Sequence, residues 1–401
     1  MNTIPLSNPC LTLLEKKLVM QVLQSSQLSL GSNLVEFEHR IARFIGSKYA
    51  IAVNSGTSAL HLCVKALDIQ EGDEVITTPF SFVASANCML YEHAKPVFVD
   101  IDPNTFNMET EQIRDAITAK TRAILPVHVF GLPCDMQSIT DIAAEFNLGI
   151  IEDACEAIGA ECRIRDPHSD SQNGSTFIDK KVGGIGDCSA FGFYPNKQIT
   201  TGEGGVVVTN SESIAKLCRS WRNQGRSESQ HWLQHERLGY NYRLSEINCA
   251  LGVAQMQHIR SILLTRNKVA HWYNERLQGV EEIMRPFEAQ DARRSWFVYV
   301  VRLQDRFTRR DRDNLMENLR KNGIECRSYF PPIHLQPFYA KTFGYKRGDF
   351  PNTEHVADRT IALPFFTNMT EFQVERVCAV LLQELRKIAS AKNVLLNVPV
   401  D

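Results

Sequence analysis

Between residues 45 and 210, short β-branched runs alternate with stretches of helical periodicity, and this rhythm constrains the fold more than any other feature. Strands are expected at YAIAV (49–53), DEVITT (73–78), KPVFVD (95–100), RAILPV (122–127), LGIIED (148–153), SAFGF (189–193) and GVVVT (205–209). Between the first two, SALHLCVKAL places apolar residues at 60, 63, 64 and 67, the spacing of one helix face. METEQIRDAITA (108–119) and DMQSITDIAAEF (135–146) read the same way. A βαβα series of this kind implies an α/β fold, with a mostly parallel sheet and helices on both of its faces. The stretch 163–181, RIRDPHSDSQNGSTFIDKK, breaks the rhythm and reads as a polar surface loop or flap.

After Leu244 the pattern changes. A long helical segment runs to Leu277, followed by strand-like SWFVYVVRL (295–303) and IECRSYF (324–330), a charged helix (308–322) and a terminal helix (371–390). This predicts a large domain over 1–255 and a smaller α+β domain over 256–401. Composition removes several function classes. With 44 basic and 46 acidic residues the net charge is −2, so nothing invites nucleic acid. The apolar runs stop short of the ~18 residues of a membrane span, and no basic segment precedes an apolar one at the N-terminus. A cytoplasmic protein without a membrane partner is the expectation. The 11 cysteines show no C-x-x-C spacing and sit among apolar residues, which argues against a metal centre and for a reducing compartment.

Three local features carry chemistry. The strand YAIAV runs into NSGTSAL, where Gly56 and Thr57 open a helix whose free N–H groups and dipole suit a phosphate. The alternative for that sequence is an ordinary helix cap. Asp153 ends the apolar run LGIIED at a strand terminus, the edge at which open α/β sheets bind ligands. Lys197 follows SAFGF in the glycine-rich segment FYPNKQITTGEGG, where partial removal from water suits an amine nucleophile. A phosphate-binding helix start, a strand-end carboxylate and a later lysine are together the parts of a pyridoxal phosphate site, with the cofactor held as a Schiff base.

These residues sit within collinear motifs: NSGTSALHL, GDEVITTPFSFVASAN, PVFVDIDPNTFN, AILPVHVFG, IEDACEAIGA, FYPNKQITTGEGG, LGYNYRLSEINCALG and YFPPIHLQPFY. Over nearly its whole length the chain resembles the DegT/StrS family of sugar aminotransferases, fold type I pyridoxal phosphate enzymes. The resemblance implies that Lys197 binds the cofactor and shuttles the proton, that Asp153 pairs with the pyridinium nitrogen and that Phe82 stacks on the ring. It further implies that Gly56 and Thr57 hold the phosphate, and that Asn241 in GYNYR reaches the cofactor of a neighbouring subunit in a homodimer with shared sites. Two positions depart from the family. Glu156 stands where many members have Gln beside the phenolic oxygen, and a carboxylate there repels a phenolate unless one of them keeps a proton. Gly192 stands where many have a phosphate-binding Ser, leaving Ser189, Thr200 or water to supply that hydrogen bond.

Arg243 is a candidate for gripping the carboxylate of the amino-acid donor, or for a surface ion pair. Tyr329 and His334 are candidates for lining the substrate cleft, and His128 reads as a structural histidine. The resemblance implies transfer of an amino group from an amino acid, with L-glutamate as the expected donor, to a nucleotide-linked keto-deoxysugar. A cyclitol or another cyclic ketone is the alternative acceptor. A dehydratase of this fold replaces the lysine by His, and a non-catalytic regulator has no need of Lys197.

Overall fold

A computed structural model describes residues 3–166, 176–227 and 234–396. The expected strands appear as β1 (Tyr49–Val53), β2 (Glu74–Thr77), β3 (Lys95–Phe98), β4 (Thr121–Ile124) and β5 (Gly149–Asp153). A hairpin follows, β6 (Glu161–Arg165) and β7 (Phe177–Lys181), and then β8 (Cys188–Gly192) and β9 (Gly205–Thr209). Seven of these form one sheet in the order β1-β9-β8-β5-β4-β2-β3. Its pairs are parallel except where β9 meets β1 and β8.

Successive side chains on a strand point to opposite faces, and the core divides accordingly. Ala50, Ala52, Ile150, Val206 and Val208 pack on one face, with the helices Ser32–Ile45, Met136–Phe146 and the first half of Glu246–Arg276. Ile51, Val53, Ile151, Ala190 and Val207 pack on the other, with the helices Gly56–Ala66, Ala84–Leu90 and Glu212–Arg222. Strands buried on both faces have no polar alternation, which is why they read as continuous apolar runs.

A second sheet joins β10 (Ile283–Met284), β12 (Tyr299–Leu303) and β13 (Thr360–Leu363) in the order β10-β12-β13, antiparallel throughout. The helices Arg309–Lys321 and Glu371–Leu396 pack over it around Leu315, Leu319, Val374, Val377 and Leu381. The packing does not follow a cut at residue 255. That position lies inside the continuous helix Glu246–Arg276, and Ile4 belongs to the core of the second unit, bridging to Ile324.

Two expected elements differ. The stretch expected to be a flap begins and ends as a hairpin: β6 pairs β7 from Glu161↔Lys181 to Arg165↔Phe177, and Ala292–Arg293 (β11) extends it. The pattern is a short alternation with Cys162 and Ile164 buried among charged neighbours, too brief to register as an apolar run. The tip, 167–175, lies outside the described residues. Conversely, 324–330 forms no strand; it makes isolated bridges from Ile324 to Ile4 and from Arg327 to Ala362.

Candidate active site

The site collects at the C-terminal ends of β1, β5 and β8. Beyond β1, Ser55 caps the helix Gly56–Ala66 by accepting from the Ser58 N–H at 3.0 Å, which leaves the Gly56 and Thr57 N–H groups at the open first turn. A Cβ on Gly56 would lie 3.0 Å from Cys155 Sγ and 3.2 Å from Gly192 Cα, so this helix start touches the ends of both β5 and β8. A Cβ on Gly205 would lie 2.3 Å from the Ser55 carbonyl oxygen; only glycine lets β9 pass this close.

Asp153 closes β5 and is 5% exposed. Its side chain shares a face with Ile151, the face against which Gly56–Ala66 packs. Oδ2 accepts from Ser85 Oγ at 2.6 Å and Oδ1 from the Cys155 N–H at 3.1 Å. Ser81 Oγ lies 2.7 Å from Ser85 Oγ and continues the chain of hydroxyls.

Lys197 sits on a turn closed by its own N–H donating to the Tyr194 carbonyl at 2.9 Å. Its Nζ lies 3.5 Å from Glu156 Oε1 and 4.1 Å from the centre of the Phe297 ring. The neighbouring Gln198 locks this turn in place, donating to the Glu156 carbonyl at 2.6 Å and to Ser295 Oγ at 3.1 Å. Glu156 is buried, with Oε2 accepting from the Phe130 N–H at 2.9 Å. Burial lifts its carboxyl above the ordinary carboxylate range, against the opposing pull of Lys197 and the Phe130 N–H. The half-buried Tyr329 stacks beside Phe130, its phenol raised by burial, and has the Asn196 amide next to its hydroxyl. Phe82 is 62% exposed and lines an apolar cleft of about 940 Å³ with Tyr91, Phe330, Phe338 and Tyr339.

Lys197, Asp153, Glu156, Gly56 and Thr57 are thus brought together, with Tyr329 beside them and Phe82 just before the helix that carries Ser85. Three other candidates are engaged elsewhere. Ser189 pairs in register with Glu152, on the sheet face opposite Asp153, and donates its hydroxyl to the Gly183 carbonyl at 2.7 Å. It cannot replace the serine missing at 192. Thr200 is also engaged, donating to the Phe193 carbonyl and accepting from the Gly202 N–H. His334 is fully buried, 3.0 Å from Glu354, and lines no substrate cleft. Burial holds its imidazole below the usual histidine range.

Asn241 is exposed; its carbonyl accepts from Asn54 Nδ2 at 3.4 Å, and Arg243 donates to Asn223 at 3.0 Å. His128 is structural: fully buried, it meets Glu152 at 3.2 Å and accepts from the Cys134 N–H. Ser85, Gln198, Phe130 and Phe297 are site residues that the sequence reading passed over. For Ser85 the signal was its place three residues after Phe82 in one motif. Among the described residues no helix is long and apolar enough to cross a membrane, and no His/Cys/Asp/Glu cluster suits a metal ion.

Comparison with known proteins gives the family of the chain. A family model described as the DegT/DnrJ/EryC1/StrS aminotransferase family matches residues 9–382. A GDP-perosamine synthase of Caulobacter vibrioides is 37% identical over 374 residues, covering 92% of this chain and 95% of that protein. A UDP-N-acetyl-3-dehydro-alpha-D-glucosamine 3-aminotransferase of Acidithiobacillus ferrooxidans is 34% identical over 367 residues, covering 91% and 92%. Among solved structures, Helicobacter pylori PseC, an aminotransferase involved in the biosynthesis of pseudoaminic acid, superposes with a TM-score of 0.88 at 28% identity, covering 96% of this chain and 100% of that one.

Proposed function

The chain belongs to the DegT/DnrJ/EryC1/StrS aminotransferase family, and from that premise we propose that it transfers the amino group of an amino acid, L-glutamate, to a ketone on a nucleotide-linked deoxysugar. The observation that carries this reading is the convergence of Lys197, Asp153 and the Gly56 helix start on one end of the sheet. The relatives support the acceptor class, being named for a GDP-linked and a UDP-linked sugar. Which base, which sugar and which carbon are questions of substrate choice within that class.

The residues fit pyridoxal phosphate. The open first turn at Gly56 and Thr57 suits a phosphate, the buried Asp153 suits a protonated ring nitrogen and the Lys197 amine suits an aldehyde. When bound, the cofactor supplies a carbonyl that condenses with amines and a ring that accepts the electrons released at a substrate carbon. The protein's own groups do the rest. Asp153, oriented by Ser85 and the Cys155 N–H, is the carboxylate that would hold a protonated ring nitrogen. Phe82 offers an aromatic face to a flat ring. Lys197 Nζ anchors, then carries the proton from one carbon to the next, held on its turn by Gln198. With glycine at 192 and Ser189 turned to the other face, Gly56 and Thr57 would hold the phosphate without a serine at that position. Asn241, exposed on its loop, completes the site of a second copy in a homodimer.

The test is a panel of nucleotide-linked keto-sugars offered with 15N-glutamate, read by mass spectrometry. The reading predicts 15N in a nucleotide-linked aminosugar. Transfer confined to free cyclitol ketones would replace the acceptor, and no transfer to any member of the panel would overturn it.

A further inference from the structure

Glu156 is the acidic group that faces the lysine. Its Oε2 is fixed by the Phe130 N–H at 2.9 Å, which leaves Oε1 turned toward Lys197 Nζ at 3.5 Å. The ammonium also meets the Phe297 ring, which offers no proton acceptor. Among the described residues, Lys197 and Asp153 act on Glu156, Cys155 and Tyr329 feel its charge, and Lys197 is the cation of this set. We propose that Glu156 is the proton partner of Lys197: it balances the ammonium while the lysine is charged and takes up that proton when the lysine nitrogen becomes neutral.

The chemistry requires such a group. For Lys197 to add to an aldehyde carbon, its ammonium must shed a proton to free the lone pair. The C–N bond then forms and the carbonyl oxygen leaves as water. A carboxylate at 3.5 Å receives the first proton without passing it to solvent. Once Lys197 is neutral, Glu156 is a buried carboxylate beside Asp153 that has lost its facing cation, and burial drives it to the neutral acid. The protonated acid then donates a hydrogen bond, so the carboxyl no longer repels a phenolate placed near it. A glutamine at this position could donate but could not accept the proton. The inference rests on the proposed pyridoxal phosphate chemistry for its role in turnover, though not for its physical test.

That test is infrared spectroscopy of protein carrying 13C-labelled glutamate carboxyls, titrated by pH. Lys197→Met removes the cation and keeps the length of the side chain. The expected result is a protonated-carboxyl band persisting in Lys197→Met to a pH at which wild type has lost it. That is at least about a tenfold gain in proton affinity, and it should be absent from Lys197→Met/Glu156→Gln. Lys197→Ala serves if the methionine variant does not fold. Identical titration with and without the lysine cation would overturn the proposal. A second readout counts protons released when apoprotein captures pyridoxal phosphate: Glu156→Gln should release one more per site than wild type, and equal release would also overturn it. Failure of wild type to capture pyridoxal phosphate at all would instead sink the cofactor reading, leaving the infrared result to decide the role of Glu156.

Discussion

Ser85→Ala tests whether Asp153 is held as described. The Ser85 hydroxyl donates to Asp153 Oδ2 at 2.6 Å in a buried setting, and the remaining oxygen has the Cys155 N–H at 3.1 Å. A hydrogen bond to a charged group is worth about 1.5–3 kcal/mol, so the variant should lose about that much unfolding free energy. If the loss also appears as misorientation of the carboxylate during turnover, kcat/KM falls by about tenfold to a hundredfold, at 1.4 kcal/mol per decade. Urea unfolding of wild type, Ser85→Ala, Asp153→Asn and the double variant closes a cycle. In the Asp153→Asn background the bond joins neutral groups and is worth about 0.5–1.5 kcal/mol, so a coupling near 1 kcal/mol is expected. A Ser85→Ala cost within about 0.5 kcal/mol of zero in both backgrounds would refute the reasoning, since that is the range of featureless surface substitutions.

Glu152→Gln should destabilise by about 1.5–3 kcal/mol, because Glu152 is fully buried and accepts from the Gly183, Ile185 and Gly186 N–H groups while facing His128. Although burial alone would raise it, those partners hold its carboxyl below the ordinary 4.5. Its contribution is therefore fully present above that value and fades as pH falls through the lower folded one, so thermal midpoints of variant and wild type should converge in acid; a constant gap would contradict this. Mixing Lys197→Ala with Asn241→Asp subunits, each nearly inactive alone, should restore up to about half of one dimer's activity in mixed dimers. No recovery despite proven mixing would return Asn241 to the site of its own chain.

The large sheet was legible because β1, β5, β8 and β9 are apolar on both faces and punctuated by turns. So was the trio of Lys197, Asp153 and Gly56, since each lies at a strand end where the fold class already places ligands. The hairpin β6–β7 was not, because Cys162 and Ile164 alternate with arginines over only five residues. Ser189 does not stand in for a serine at 192 because the two positions differ by an odd number, so on one strand their side chains face opposite ways. Ser85 carried only its nearness to Phe82 as a signal, because its bond to Asp153 spans 68 positions that only the sheet order brings together. His334 lies beside two prolines that suit a surface turn, and its burial depends on Glu354 and Phe350 from a helix that the sequence reading did not define.

The central claim is that Lys197 is the amine on which the chemistry turns, and the direct measurement is a peptide map after borohydride reduction of the protein loaded with pyridoxal phosphate. The expected result is a yellow protein whose absorption band is fixed by reduction, with the adduct on Lys197 and no band in Lys197→Ala. A stable adduct on any other lysine, or an unchanged band in Lys197→Ala, would contradict it.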